Sequence, residues 1–151
     1  MNSELRDLYQ EVIIDHSRRP RNFCKLNDAT GLAEGFNPLC GDHLTVYVKI
    51  EDGIIKDIAF QGDGCAISKA SASLMTTALK GKNEAEALAL FGYVHTLLTD
   101  GPNGAVRSED LGKIAVLSGV YEFPTRIKCA TLAWHTLRSA LEGKNKLVLK
   151  E

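Results

Sequence analysis

Four residues carry the chemistry this sequence could support: Cys40, Asp42, Cys65 and Cys129. Cys40 and Asp42 lie two apart in "NPLCGDHL", residues 37–44, between a proline turn and a strand-like run. In an extended chain such residues point to the same side, so a thiolate and a carboxylate converge while His43 points away. The ordinary alternative for this pair is a turn aspartate beside a small buried thiol. Cys65 follows "QGDG", a glycine-bounded turn that opens directly into a helix. Free N–H groups and the macrodipole favour a thiolate there, and a buried helix-start cysteine is the competing account. Cys129 falls in the first turn of the last expected helix, after "FPTRIK". Arg126 and Lys128 flank it, and their positive charge is expected to lower its pKa.

Core cysteines more often fall mid-element on an apolar face, whereas these three fall at turns or helix starts. With Asp42 they make four donors, the number a tetrahedral metal takes. No CxxC pair is present, and linear spacing does not bring 40, 65 and 129 together. A shared metal site and separate buried thiols therefore both stay open at this level. Cys24, in "RNFCKL", has neither a glycine turn nor a helix start and is assigned as a bystander. Cys129 and His135, six apart on one helix, lie about 120° apart around its axis and so on different faces. His16 and His95 fall at or near expected helix ends, and Trp134 is expected to pack.

The elements that must position these residues follow from periodicity. Leu5, Leu8, Tyr9, Val12 and Ile13 repeat at helical spacing, giving an amphipathic helix over about 3–16, stopped before Pro20. An irregular basic stretch follows. "LTVYVKIEDGIIKDIAFQGDG" alternates as two strands about the turn "EDG", and 31–37, "GLAEGFN", is a further candidate strand. Beyond Cys65 the pattern is helical: 66–80 with Gly81 as a stop, then a helix to about 98 with Asn83 and Glu86 as a capping box. A loop "TDGPNGAVRSED" leads to a helix capped by Ser108 and running through Val120, and Thr125 caps a last helix ending near Gly143. Strands first and helices after predict an α+β fold, a three-stranded antiparallel sheet with helices packed on one face.

The whole chain sets the boundaries. Its 151 residues fit one domain, 1–151, with 44% hydrophobic and 25% charged residues. A formal net charge of −1 argues against a nucleic-acid binder, and the basic run "RRPR" at 18–21 is too short to reverse that. No apolar run approaches the roughly 18 residues of a membrane span. "MNSELRDLYQ" is polar and does not read as a signal peptide. The expectation is a cytoplasmic protein with reduced thiols and no membrane partner.

The segments "NPLCGD", "GDGCAISKASAS" and "PTRIKCATLAW" resemble the three signature segments of the iron–sulfur cluster assembly scaffolds, the group of IscU, NifU N-terminal and SufU types. "LYQEVIIDHSRRPRNF" is similar to that family's opening helix and basic turn, so the likeness covers about residues 3–142. It implies a SufE/NifU-like fold in which Cys40, Asp42, Cys65 and Cys129 converge on one exposed site that holds zinc or builds a cluster. Two departures resemble the SufU subgroup. Lys128 stands where IscU proteins carry histidine, and the stretch between Cys65 and Cys129 is longer, around "HTLLTDGPNGAVRSED". The IscU chaperone-recognition segment "LPPVK" here reads "EFPTR".

The function this likeness implies is a zinc-dependent sulfurtransferase. A PLP-dependent, SufS-like cysteine desulfurase makes a persulfide, and Cys40, on the most mobile of the three cysteine segments, accepts its sulfur. A histidine of the desulfurase is implied to replace Cys40 on zinc during docking, with Asp42, Cys65 and Cys129 holding the metal. Arg126, with Lys128 beside it, is implied to dock the partner or orient the persulfide. A second implication is a scaffold that builds a transient [2Fe–2S] cluster on Cys40, Cys65 and Cys129 for other assembly proteins or apoprotein clients. The aspartate should leave such a cluster labile. The third is a structural zinc module without sulfur chemistry.

Overall fold

The computed structural model of the chain describes residues 3–38, 40–100, 112–142 and 147–149. Helix α1 (Ser3–Arg18) comes first, then strands β1 (Gly31–Asn37), β2 (Asp42–Glu51) and β3 (Ile54–Asp63). Helices α2 (Ala66–Leu79) and α3 (Glu84–Asp100) follow, then a 3₁₀ helix (Gly112–Glu122), helix α4 (Pro124–Leu141) and a short strand β4 (Leu147–Leu149).

The strand-then-helix order yields the expected sheet. β1 pairs antiparallel with β2, and β2 with β3. The β2–β3 connection is Asp52–Gly53, both at positive φ (53° and 75°), the mirror-image turn that matches strand twist. The sheet order is β3-β2-β1-β4, so one strand was not foreseen: β4 adds to the β1 edge in parallel. A three-residue strand is too short to show alternation, so nothing in the sequence pattern announces it.

Alternation on β2 buries Leu44, Val46 and Val48 completely. Against them pack Leu132 and Leu137 of α4, within a core that also holds Phe60 and Trp134. Each such side chain contributes roughly 1.5–3 kcal/mol by leaving water. α4 lies on β1 and β2, α2 on β3, and α1 stacks on α2 from outside. Close approach of α4 to β1 depends on Gly35, where any Cβ would run into Thr136 Oγ1. Trp134 packs as expected, with its Nε1–H donating to Ser71 Oγ at 3.1 Å.

The helix boundaries show what caps decide. Asn83 and Glu86 form the expected reciprocal box at 3.1 and 2.7 Å. Two expectations fail. The element ending near Val120 is a 3₁₀ helix of 11 residues, longer than the short runs in which that winding is usual, and Ser108 lies outside the described residues, as does the loop from 101. The last helix starts at Pro124, with Phe123 as its cap, not at Thr125. Proline is favoured at the first helical position because its missing N–H is unneeded there. Cys129 is consequently in the second turn, not the first. Among the described residues no helix is long and apolar enough to cross a membrane.

Candidate metal and sulfur site

The ends of β1, β2, α2 and α4 meet at one point. Asn37 closes β1 opposite Asp42, the first residue of β2. The tight connection between them carries Cys40, followed by Gly41 at φ 72°, a left-handed conformation that favours glycine. Cys40 is therefore exposed, whereas Asp42 turns inward and is fully buried.

Asp42 is held by few donors. Its Oδ1 accepts from the backbone N–H of Cys65 at 2.8 Å, at the start of α2 where the macrodipole favours an anion. Its Oδ2 accepts from Asn37 Nδ2 at 3.4 Å. Among the described residues these are its two N–H donors, with the Cys129 thiol beside them, and a buried carboxylate so placed favours a cation next to it. Gly64 makes the arrangement possible: a Cβ there would lie 2.7 Å from Asp42 Oδ1.

Cys129 comes in from α4 and is 1% exposed. Its Sγ lies 3.3 Å from Cys40 Sγ and 3.7 Å from Asn37 Nδ2. Burial pushes the Cys129 thiol well above the usual range, and neighbouring Cys40, Asp42 and Cys65 push it further. This reverses the expectation drawn from Arg126 and Lys128. On a helix, sequence neighbours point away from one another, and position 129 faces the core. Arg126 is exposed, with its guanidinium 6.0 Å from the centre of the Phe123 ring.

The donor atoms of Cys40, Asp42 and Cys129 all lie within 4.8 Å of one another. A zinc ion with bonds of about 2.0–2.3 Å sets its tetrahedral ligands roughly 3.3–3.8 Å apart, so this cluster fits one. Cys65 stands alongside but outside that trio. Its Sγ accepts from Ser68 N at 3.5 Å and caps α2, as its helix-start position suggested. Cys24 is exposed and not part of the cluster. Of the histidines, His16 bonds Ser73 and His95 packs against His135, all away from this point.

Sequence reasoning passed over Asn37 and Ser68. Both are fully buried, and Asn37 Oδ1 and Ser68 Oγ lack a hydrogen-bond partner among the described residues. A polar residue immediately before "PLCGD" was the available signal for Asn37. Ser68 had none, because "AISKASAS" offers four serine and lysine positions that look alike in one dimension.

Residues 8–141 match the NifU-like N terminal domain. The chain is 44% identical over 140 residues to the iron–sulfur cluster assembly scaffold protein IscU of Streptococcus pyogenes, covering 93% of this chain and 86% of that protein. It is 42% identical over 149 residues to the zinc-dependent sulfurtransferase SufU of Bacillus subtilis, covering 95% and 98%. A crystal structure from Fervidobacterium islandicum, of a candidate assembly scaffold for the SUF system, superposes with a TM-score of 0.82 at 34% identity, covering 93% of this chain and 99% of that one.

Proposed function

The chain belongs to the NifU-like N-terminal domain family, and from that premise we propose that it is a zinc-dependent sulfur acceptor for iron–sulfur cluster assembly, drawing on a PLP-dependent cysteine desulfurase. The observation that carries this is the pairing of an exposed Cys40 sulfur with a buried Cys129 sulfur 3.3 Å away, beside a buried, under-compensated carboxylate. A closed structural site would bury all its ligands alike. The similarity to a protein named as a zinc-dependent sulfurtransferase supports the same reading.

Cys40, Asp42, Cys65 and Cys129 would hold zinc. Cys65 would exchange its role as the α2 cap for that of a ligand by turning its side chain. When bound, zinc keeps its thiolate ligands deprotonated, as the raised pKa of Cys129 otherwise forbids. Three thiolates and a carboxylate carry four negative charges against two on zinc, so the loaded site would keep a net negative charge that a cationic partner surface could meet.

The transfer itself belongs to Cys40. Its thiolate attacks the terminal sulfur of the desulfurase persulfide. A new S–S bond forms on Cys40 as the donor's S–S bond breaks, and the desulfurase cysteine leaves as a thiolate. No net oxidant is needed. Asp42 and Cys129 stay fixed, while the turn at Gly41 lets Cys40 reach outward. Arg126, exposed at the start of α4, is placed in this reading to meet the partner or the persulfide. Reduced thiols of this kind suit the cytoplasm.

Similarity to a protein named as a scaffold favours a second reading, in which a transient [2Fe–2S] cluster is the cargo, built and passed to client apoproteins. Desulfurase turnover and peptide mass spectrometry separate the two. Wild-type protein should accelerate the desulfurase and carry one extra sulfur on the Cys40 peptide. Cys40→Ser should fold, keep some zinc and fail to accelerate. Extra sulfur on Cys129 alone, or none with the desulfurase unaffected, would overturn the relay on Cys40.

A further inference from the structure

We propose that Asn37 is a positioning residue: its side-chain amide donates to Asp42 and to Cys129 together, and so fixes one half of the site while Cys40 stays free to move. What the site does rests on the function proposed above; the clamp rests on geometry alone.

The register of the sheet makes the clamp possible. Asn37 is the last residue of β1 and sits directly opposite Asp42, the first of β2. Directly opposed side chains share a face of the sheet within contact distance. From there Asn37 Nδ2 lies 3.4 Å from Asp42 Oδ2 and 3.7 Å from Cys129 Sγ. An amide nitrogen carries two N–H donors, one for each acceptor. One planar group thereby ties the sheet to α4, across 92 positions of sequence, at the atoms where a carboxylate and a sulfur must be kept together.

The other end of the same amide shows that this is its purpose. Asn37 is fully buried, and its Oδ1 has no partner among the described residues. A buried amide oxygen without a donor costs its hydration and gains nothing in return. An apolar residue of equal volume at the end of β1 would avoid that cost. Packing therefore does not account for asparagine here, whereas service by Nδ2 does. Cys40 is outside the clamp: it is exposed, and its Sγ lies 3.3 Å from Cys129 Sγ.

Asn37→Leu keeps the volume and removes both donors together with the unpaired oxygen. The metal-free variant should fold and melt no lower than wild type. Loaded with zinc, it should release the metal to a competing chelator about tenfold faster or more, the usual scale for losing a donor that orients a ligand. With cobalt(II) in place of zinc, its sulfur-to-metal charge-transfer band should move to longer wavelength, because a sulfur has lost an N–H donor. Asn37→Ala also removes both donors, adds no group that could bind the metal, and should release zinc at least as fast as Asn37→Leu. In metal-free wild type, the two side-chain amide protons of Asn37 should give distinct, solvent-protected NMR signals. Unchanged release and an unchanged cobalt band in Asn37→Leu overturn the clamp. If that variant does not fold, Asn37→Ala and the amide signals decide, and freely exchanging amide protons overturn it. Should wild type bind no zinc, the proposed function falls, while protected amide protons would still uphold the clamp.

Discussion

Two buried polar clusters touch α2, and they are finished differently. Toward the middle of the helix, Ser73 Oγ accepts from Arg21 N at 2.9 Å and lies 2.7 Å from His16 Nδ1. Asn22 Nδ2 donates to Thr76 Oγ1 at 3.1 Å, and that hydroxyl donates to Ser73 O at 2.8 Å. The cluster is closed: it pins α1 and the basic turn "RRPRN" to the body of the fold. At the N-terminal end of the helix, Asp42, Asn37, Ser68 and Cys129 are as deeply buried, yet Asn37 Oδ1 and Ser68 Oγ have no partner among the described residues. Among the described residues these are the two buried side-chain nitrogen or oxygen atoms left so. Burial of polar groups does not by itself mark a site. A closed network is scaffolding, and a network whose capacity is not used within the chain is a candidate for chemistry.

The contrast can be broken most severely at Gly64. In Gly64→Ala the new Cβ would fall 2.7 Å from Asp42 Oδ1 and 3.1 Å from Ser68 Oγ, so the carboxylate must move. Zinc release to a chelator should speed up by about tenfold or more, and desulfurase activation should be largely lost. A variant that holds zinc as wild type does would remove Asp42 from the site. The mirror experiment is Ser73→Ala, which orphans His16 Nδ1 and Arg21 N. Chemical unfolding should show a loss of about 1–3 kcal/mol, with zinc content and release unchanged. Faster zinc release there would mean that the two clusters are coupled and the contrast is false.

A smaller effect concerns pH and belongs to the closed cluster alone. Burial holds the pKa of His16 below its ordinary value near 6.5, helped by the charges of Arg21 and Lys113 and opposed by Asp15. The unfolded chain then binds the proton more readily than the folded one. Stability is full above the ordinary value and falls as pH drops through it toward the folded value. Urea unfolding of metal-free protein should show this decline as the pH is lowered through the ordinary histidine range, and His16→Gln should flatten it. The smallest expected effect is Cys24→Ser. Cys24 is exposed and apart from the cluster, so zinc content, desulfurase activation and stability should all match wild type.

Much of the architecture was legible because it rests on local rules. Alternation in "LTVYVKI" and the Asp52–Gly53 turn define β2 and β3, and the Asn83–Glu86 box starts α3 where the sequence puts it. Errors fell where tertiary contacts or competing caps decide. Proline at 124 outranks Thr125 as a helix start. β4 exists only because β1 offers it an edge.

The site divides the same way. Residue type and position singled out Cys40, Asp42, Cys65 and Cys129, but a place at a turn or helix start holds only for Cys40 and Cys65, since Cys129 lies in the second turn of α4 and is buried. Sequence also set Cys24 apart. Only the tertiary structure decided which atoms meet: Cys40, Asp42 and Cys129 within 4.8 Å, Cys65 beside them as a helix cap, and Asn37 between two of them. It also reversed the electrostatics of Cys129. Arg126 and Lys128 are its neighbours along the chain, but a thiol responds to burial and to the groups it faces across space. Sequence fixes which groups are available; the low dielectric of a packed interior and the strand register that opposes Asn37 to Asp42 determine what those groups become.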